Sequence, residues 1–137
     1  IRHAENDRTD QSNVNPSLNF KGEKRAQNWA NYFEDKDIDA VYSTKYYRTM
    51  ETATPTAMTK KLKIKYYDPR QMFDSIFKAE TKGKSVLVVG HSNTTPIFAN
   101  KILGEDKYQN MDDNDNASLY IVTISGDKKT SKIEKVN

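Results

Sequence analysis

Val86-Leu87-Val88-Val89-Gly90-His91-Ser92 is a nearly continuous apolar run that ends on a glycine and a histidine. A short β-branched run with no polar alternation, Ser85 to Val89, is the pattern of a strand buried on both faces of a parallel sheet. Parallel strands cannot be joined by tight hairpins and need a crossover, usually a helix. This stretch therefore predicts an α/β chain, and it delivers His91 to the carboxyl end of a central strand, the edge where such sheets bind ligands.

The flanking sequence agrees. Ile1-Arg2-His3 reads as the last turn of another strand, one that looks truncated at its N-terminal end, so a targeting segment could precede it. Residues 4 to 18 are polar and turn-rich and predict a long loop. Ala26, Trp29, Ala30 and Phe33 recur at helical spacing between Lys21 and Phe33, with Trp29 directed to the core. Ile38 to Tyr42 predicts a strand, and Ser43 and Thr44 offer N-caps for a helix through Tyr47, Met50, Thr54 and Ala57 that Pro55 would kink or divide. Leu62 to Tyr67 alternates with lysine, as an edge strand does, and Asp68-Pro69 ends it. Met72, Phe73, Ile76 and Phe77 mark a further helix face, and another helix runs from about Pro96 to Leu103 and stops at Gly104. Ser118 to Ile124 and Ser131 to Val136 form a final hairpin about Gly126-Asp127. The alternation predicts one domain over residues 1–137, a three-layer α/β/α sandwich with a mostly parallel central sheet.

Composition narrows the chemistry. The 22 Lys plus Arg and 19 Asp plus Glu leave a net charge of +3, and the bases are interleaved with acids, which disfavours a nucleic-acid partner. Cysteine is absent, excluding thiolate catalysis, disulfides and Cys-ligated zinc. No run reaches the roughly 20 apolar residues of a membrane span. The compartment, cytoplasmic or periplasmic and secreted, stays open.

The chain has two histidines, and both stand at strand ends. Imidazole is the side chain suited to nucleophilic attack or proton transfer near neutral pH. Arg2 beside His3 adds a permanent cation that can grip a phosphate or carboxylate. Arg48 lies in the first turns of the helix after Tyr42-Ser43-Thr44, where helix dipole and guanidinium would act together on an anion; pairing with Glu51 is the plainer alternative. Asp112-Asp113-Asn114-Asp115-Asn116 lacks the spaced ligands, central glycine and closing glutamate of an EF-hand and reads as a solvated loop bordering the pocket.

Together Ile1-Arg2-His3-Ala4-Glu5, Ser43-Thr44-Lys45-Tyr46-Tyr47-Arg48-Thr49-Met50-Glu51-Thr52-Ala53 and Val88-Val89-Gly90-His91-Ser92 resemble the three ordered motifs of the histidine phosphatase superfamily, the phosphoglycerate-mutase-like fold. Leu18 to Ala26 is also similar to the leucine-x-x-x-glycine segment opening that family's first helix. The resemblance implies that His3 is the nucleophile forming a phosphohistidine and that Arg2, Arg48 and His91 surround the phosphate. It implies a phosphomonoester hydrolase needing no metal or other cofactor and acting on a phosphorylated small molecule or phosphoprotein. Phosphoglycerate-mutase-type transfer and a catalytically silent phosphate-binding module are the alternatives. Some members place an aspartate after the second histidine, where this chain has Ser92. Asp68 is then the nearest candidate acid, with Glu5 and Asp74 competing and a turn-forming role for Asp68 equally open. Asn6 and Asn93 are candidate substrate contacts, Asn93 alternatively a helix cap.

Overall fold

The computed structural model describes residues 1–136. The elements are α1 (Phe20–Phe33), β1 (Ala40–Ser43), α2 (Tyr47–Lys60), β2 (Ile64–Tyr66), α3 (Ser75–Thr81), β3 (Val86–Val89), α4 (Thr94–Leu103), β4 (Ser118–Ser125) and β5 (Lys128–Lys135). The strands β2-β1-β3 form a parallel sheet in that order, with Val41 opposite Ile64 and Leu87. Residues 1–3 continue it beyond β3: Arg2 bridges Gly90 in parallel, the Gly90 N–H donates to the Ile1 carbonyl at 2.9 Å, and the His3 N–H donates to the Gly90 carbonyl at 2.8 Å. The lysine-flanked β2 stands at the edge, as its alternation requires. The strands β4 and β5 pair separately as an antiparallel hairpin, with Ser125 opposite Lys128.

The two-residue period of the strands divides the core into two sides. Val41, Leu87 and Val89 face one way, onto Trp29 and Phe33 of α1 and Ala53 and Ala57 of α2. Ala40 and Tyr42 face the other way with Val86 and Val88, onto Phe77 of α3 and Phe98 of α4. The result is an α/β/α sandwich. Trp29 is 1% exposed and stacks on Phe33 at 5.8 Å between centroids; truncating it to alanine would cost about 3–5 kcal/mol.

Several boundaries differ from the sequence expectation. Neither Ser43 nor Thr44 caps α2; its N-cap is Tyr46, with no side-chain cap, because both hydroxyl residues are fully buried at the end of β1. Pro55 does not divide α2, which runs on to a left-handed Lys61. The helix expected around Met72 begins only at Ser75: Phe73 has φ 52°, which breaks the chain's course, and the Asp74 carboxylate accepts from the Phe77 N–H. The last helix starts two residues before Pro96, which sits in the first turn where no N–H is needed. Strand β5 begins at Lys128 rather than Ser131, since the turn at Gly126-Asp127 lets pairing start at once. Among the described residues no helix is long and apolar enough to cross a membrane.

Candidate active site

Because the sheet is parallel, its strands deliver His3, Thr44 and His91 to one edge. The two imidazoles lie 5.7 Å apart between centroids, with ring planes at 64°. His3 is buried, and its Nδ1 lies 2.7 Å from the Ala4 carbonyl. A carbonyl only accepts, so Nδ1 carries the proton and Nε2 keeps a free lone pair. Burial pushes the pKa of His3 down to about 4; the Ala4 hydrogen bond opposes this, while the nearby Arg2, Arg48 and His91 charges add to it. The His3 imidazole is therefore neutral at pH 7.

His91 sits in the turn between β3 and α4. Its N–H donates to Thr94 Oγ1 at 2.9 Å, its carbonyl accepts from the Thr95 N–H, and its Nε2 lies 2.9 Å from Thr44 Oγ1. Burial, with Arg48 and Arg2 nearby, pushes its pKa down to about 4 as well. The glycine before it makes room: a Cβ on Gly90 would stand 2.8 Å from both Thr94 Oγ1 and the Tyr67 hydroxyl and would have to push them aside.

The two arginines, both near the imidazoles, have different partners. Arg2 is 3% exposed, and its Nη1 donates to the carbonyls of Asp112 (3.3 Å), Asp113 (3.0 Å) and Asp115 (2.9 Å). The aspartate-rich segment thus wraps a guanidinium with its backbone, while the Asp113 carboxylate is hydrogen-bonded by Arg8 and lies 3.7 Å from Arg2 Nη2. Arg48, in the first turn of α2, stacks its Cζ 4.7 Å over the Tyr46 ring, whose edge meets His91 at 5.2 Å. Arg48 Nη1 is buried without a hydrogen-bond partner. Glu51, the alternative partner, instead accepts from the Leu18 N–H at 2.8 Å.

A neutral imidazole with an open Nε2, a second imidazole beside it and an unsatisfied guanidinium form a site suited to a tetrahedral oxyanion. Comparison with known proteins agrees with that chemistry: the family model for the histidine phosphatase superfamily (branch 1) matches residues 1–69. The chain belongs to the histidine phosphatase superfamily. No curated protein sequence matches it significantly. Solved structures share its fold. A protein histidine phosphatase SixA complexed with tungstate superposes with a TM-score of 0.75 at 16% identity, covering 98% of this chain and 94% of that one. YhfR of Bacillus stearothermophilus gives 0.73 at 14% identity, with 97% and 93% covered. A mycobacterial glucosyl-3-phosphoglycerate phosphatase in complex with VO3 gives 0.71 at 11%, with 99% and 96% covered.

The remaining candidates are held by partners other than the two imidazoles. Asp68 is partly exposed and held by Arg70, whose Nη2 and Nε approach at 2.9 and 3.1 Å; hydrogen bonds from Arg70 keep its carboxyl below the usual range. That environment favours the carboxylate and makes a poor proton donor. Glu5 is clamped by Arg25 at 2.8 and 3.0 Å, and its carboxyl is likewise lowered: burial is the largest single influence and raises it, but the Arg25 hydrogen bonds, a backbone hydrogen bond and the Arg25 and Lys21 charges together prevail. Asp74 caps α3. Asn6 pairs with Leu18 and lines a polar cavity of about 740 Å³ beside Glu5, Arg8, Lys21 and Asn116. Asn93 stands exposed at the start of α4, and its side chain does not cap the helix. Among the described residues no group of three or more His, Asp or Glu side chains is arranged to hold a metal ion.

Four supporting residues had no role at the site in the sequence reading. Thr44 reaches His91 from the end of β1. Thr52 Oγ1 accepts the Ala4 N–H at 2.8 Å and donates to the Arg48 carbonyl at 2.6 Å, tying the His3 loop to the arginine helix. Asn116 Nδ2 donates to the His3 carbonyl at 3.1 Å. Gly22 lets α1 approach Glu5 so closely that a Cβ would stand 1.9 Å from the Glu5 carbonyl oxygen. Of these, Gly22 carried a signal, four residues after Leu18 in the glycine segment, as did Asn116, in the loop expected to border the pocket.

Proposed function

We propose that this chain is a phosphomonoester hydrolase that works through a phosphohistidine on His3 and needs no metal ion. The observation that carries this reading is the state of His3: neutral at pH 7, proton on Nδ1, lone pair on Nε2, within 5.7 Å of the second imidazole. In the first step Nε2 attacks phosphorus in line, the N–P bond forms, and the P–O bond to the leaving group breaks with its electron pair going to that oxygen. The Ala4 carbonyl stabilises the positive charge that develops on the ring through Nδ1–H. In the second step water attacks phosphorus, the N–P bond breaks, and the electron pair returns to Nε2 as phosphate leaves.

Arg48, Arg2 and His91 supply positive charge around the equatorial oxygens. Arg48 Nη1 enters with an unfilled hydrogen bond. His91 gains its proton when a phosphoryl dianion binds, because the anion raises a pKa that burial and neighbouring guanidinium groups had depressed. The substrate class is a phosphorylated small molecule or phosphoprotein, and the reading of Asp68 as the acid finds no support in its pairing with Arg70.

The test is hydrolysis of an aryl phosphate in the presence of a chelator by wild type and His3→Ala, with trapping of acid-labile phosphate. The proposal expects chelator-resistant activity and trapped phosphate in wild type alone. Activity that survives His3→Ala removes the nucleophile, and activity lost to chelator removes the metal-free mechanism.

A further inference from the structure

The hydroxyl hydrogens around His91 can be assigned by elimination. Thr49 Oγ1 lies 2.9 Å from the Thr44 carbonyl and 3.0 Å from the Tyr46 carbonyl. Carbonyls only accept, so the single proton of Thr49 is committed to them. Thr49 Oγ1 can then only accept from Thr44 Oγ1, 2.9 Å away, which commits the proton of Thr44. What Thr44 Oγ1 offers to His91 Nε2, at 2.9 Å, is a lone pair. Both threonines are fully buried, so water does not compete for these bonds.

We propose that Thr44 is a positioning residue for His91: backed by Thr49, its hydroxyl fixes the Nε2–H tautomer and the angle of the ring, leaving Nδ1 as the nitrogen that meets the ligand. His3 and His91 then hold opposite tautomers. His3 has Nδ1–H on Ala4 and an open Nε2, whereas His91 has Nε2–H on Thr44 and an open Nδ1. With Nε2 occupied inside the protein, the proton taken up beside a phosphoryl dianion goes to Nδ1 and forms the hydrogen bond to a phosphoryl oxygen. The hydroxyl relay thus prepares one ring as acceptor of phosphorus and the other as donor to its oxygens. That division of labour rests on the phosphoryl-transfer reading, but the tautomer assignment does not.

The experiment is ¹⁵N NMR of the full chain labelled in histidine, read with vanadate affinity and aryl phosphate kinetics for wild type, Thr44→Val, Thr44→Ser and Thr49→Ala. The expected wild-type signal for His91 is the Nε2–H tautomer. Thr44→Val should lose that bias and lower vanadate affinity and kcat/KM by about tenfold to a hundredfold, and Thr44→Ser should restore both to within about threefold. Thr49→Ala, which frees the Thr44 proton to turn toward His91, should give mixed tautomers without losing the fold. A wild-type His91 in the Nδ1–H form, or Thr44→Val with unchanged tautomer and vanadate affinity, overturns the proposal. If wild type binds vanadate and shows the Nε2–H tautomer yet hydrolyses no aryl phosphate, the phosphatase reading fails and the assignment stands.

Discussion

The two arginine corners use the same side chain in opposite ways. Arg2 is sunk at a strand end and spends its Nη1 on the carbonyls of Asp112, Asp113 and Asp115. Arg48 lies at a helix start, supported by the face of Tyr46, with Nη1 buried and unbonded. An unsatisfied buried donor costs about 1–3 kcal/mol, and an anion that binds there returns it. Arg2, whose Nε is likewise buried and unbonded, thus shapes a loop through Nη1 while keeping one donor unspent, and Arg48 is the cation that the proposed reaction holds for the ligand. Both corners are joined to His3 through its own loop, by Asn116 on one side and Thr52 on the other.

Removing His3 should have the largest effect, because in the proposed reaction both cations act on the phosphoryl group that it carries. His3→Ala is expected to lower aryl phosphate turnover by about 10⁴-fold or more, with no phosphate trapped on the protein. The comparison itself is tested by truncating each arginine. Arg48→Ala should lower kcat/KM by about 10²- to 10³-fold while the urea midpoint stays near that of wild type. Arg2→Ala should lose activity together with about 3 kcal/mol of stability, since it leaves the loop carbonyls without their charged donor. Equal destabilisation by the two substitutions would erase the distinction.

A pH series sharpens the picture with a smaller effect. Both histidines have folded pKa values of about 4, below the roughly 6.5 of an unfolded chain. Between those values the unfolded state binds more protons, so stability should rise with pH from about 4 to 6.5 and level off above. Urea melts at a series of pH values check this, and the acid limb of kcat/KM should fall near pH 4 instead of 6.5. Saturating vanadate should narrow the gap by raising the folded pKa of His91. The smallest change is expected from Asp68→Asn, within about threefold in kcat/KM, because Arg70 holds that carboxyl ionised. A hundredfold loss there would return Asp68 to the chemistry.

What the sequence determined by itself was whatever depends on neighbours along the chain. The apolar run before Gly90 and the lysine alternation before Asp68 set the parallel sheet and its edge, and the order of Arg2-His3, Arg48 and Gly90-His91 marked the candidate site. Periodicity and strand ends are local properties, so they are legible without coordinates. Tertiary structure decided the partners. Thr44 read as a helix cap and became the support of His91, since only the pairing of β1 with β3 brings residues 47 positions apart within 2.9 Å. The Asp112–Asp115 segment read as a solvated loop and proved to be the seat of Arg2, a contact more than a hundred residues long in sequence. Asp68, singled out by its place after β2, is paired with an arginine two residues away, a contact its position did not announce. Hydrogen-bond partners and pKa values depend on distances closed by the fold, and one-dimensional spacing does not contain them.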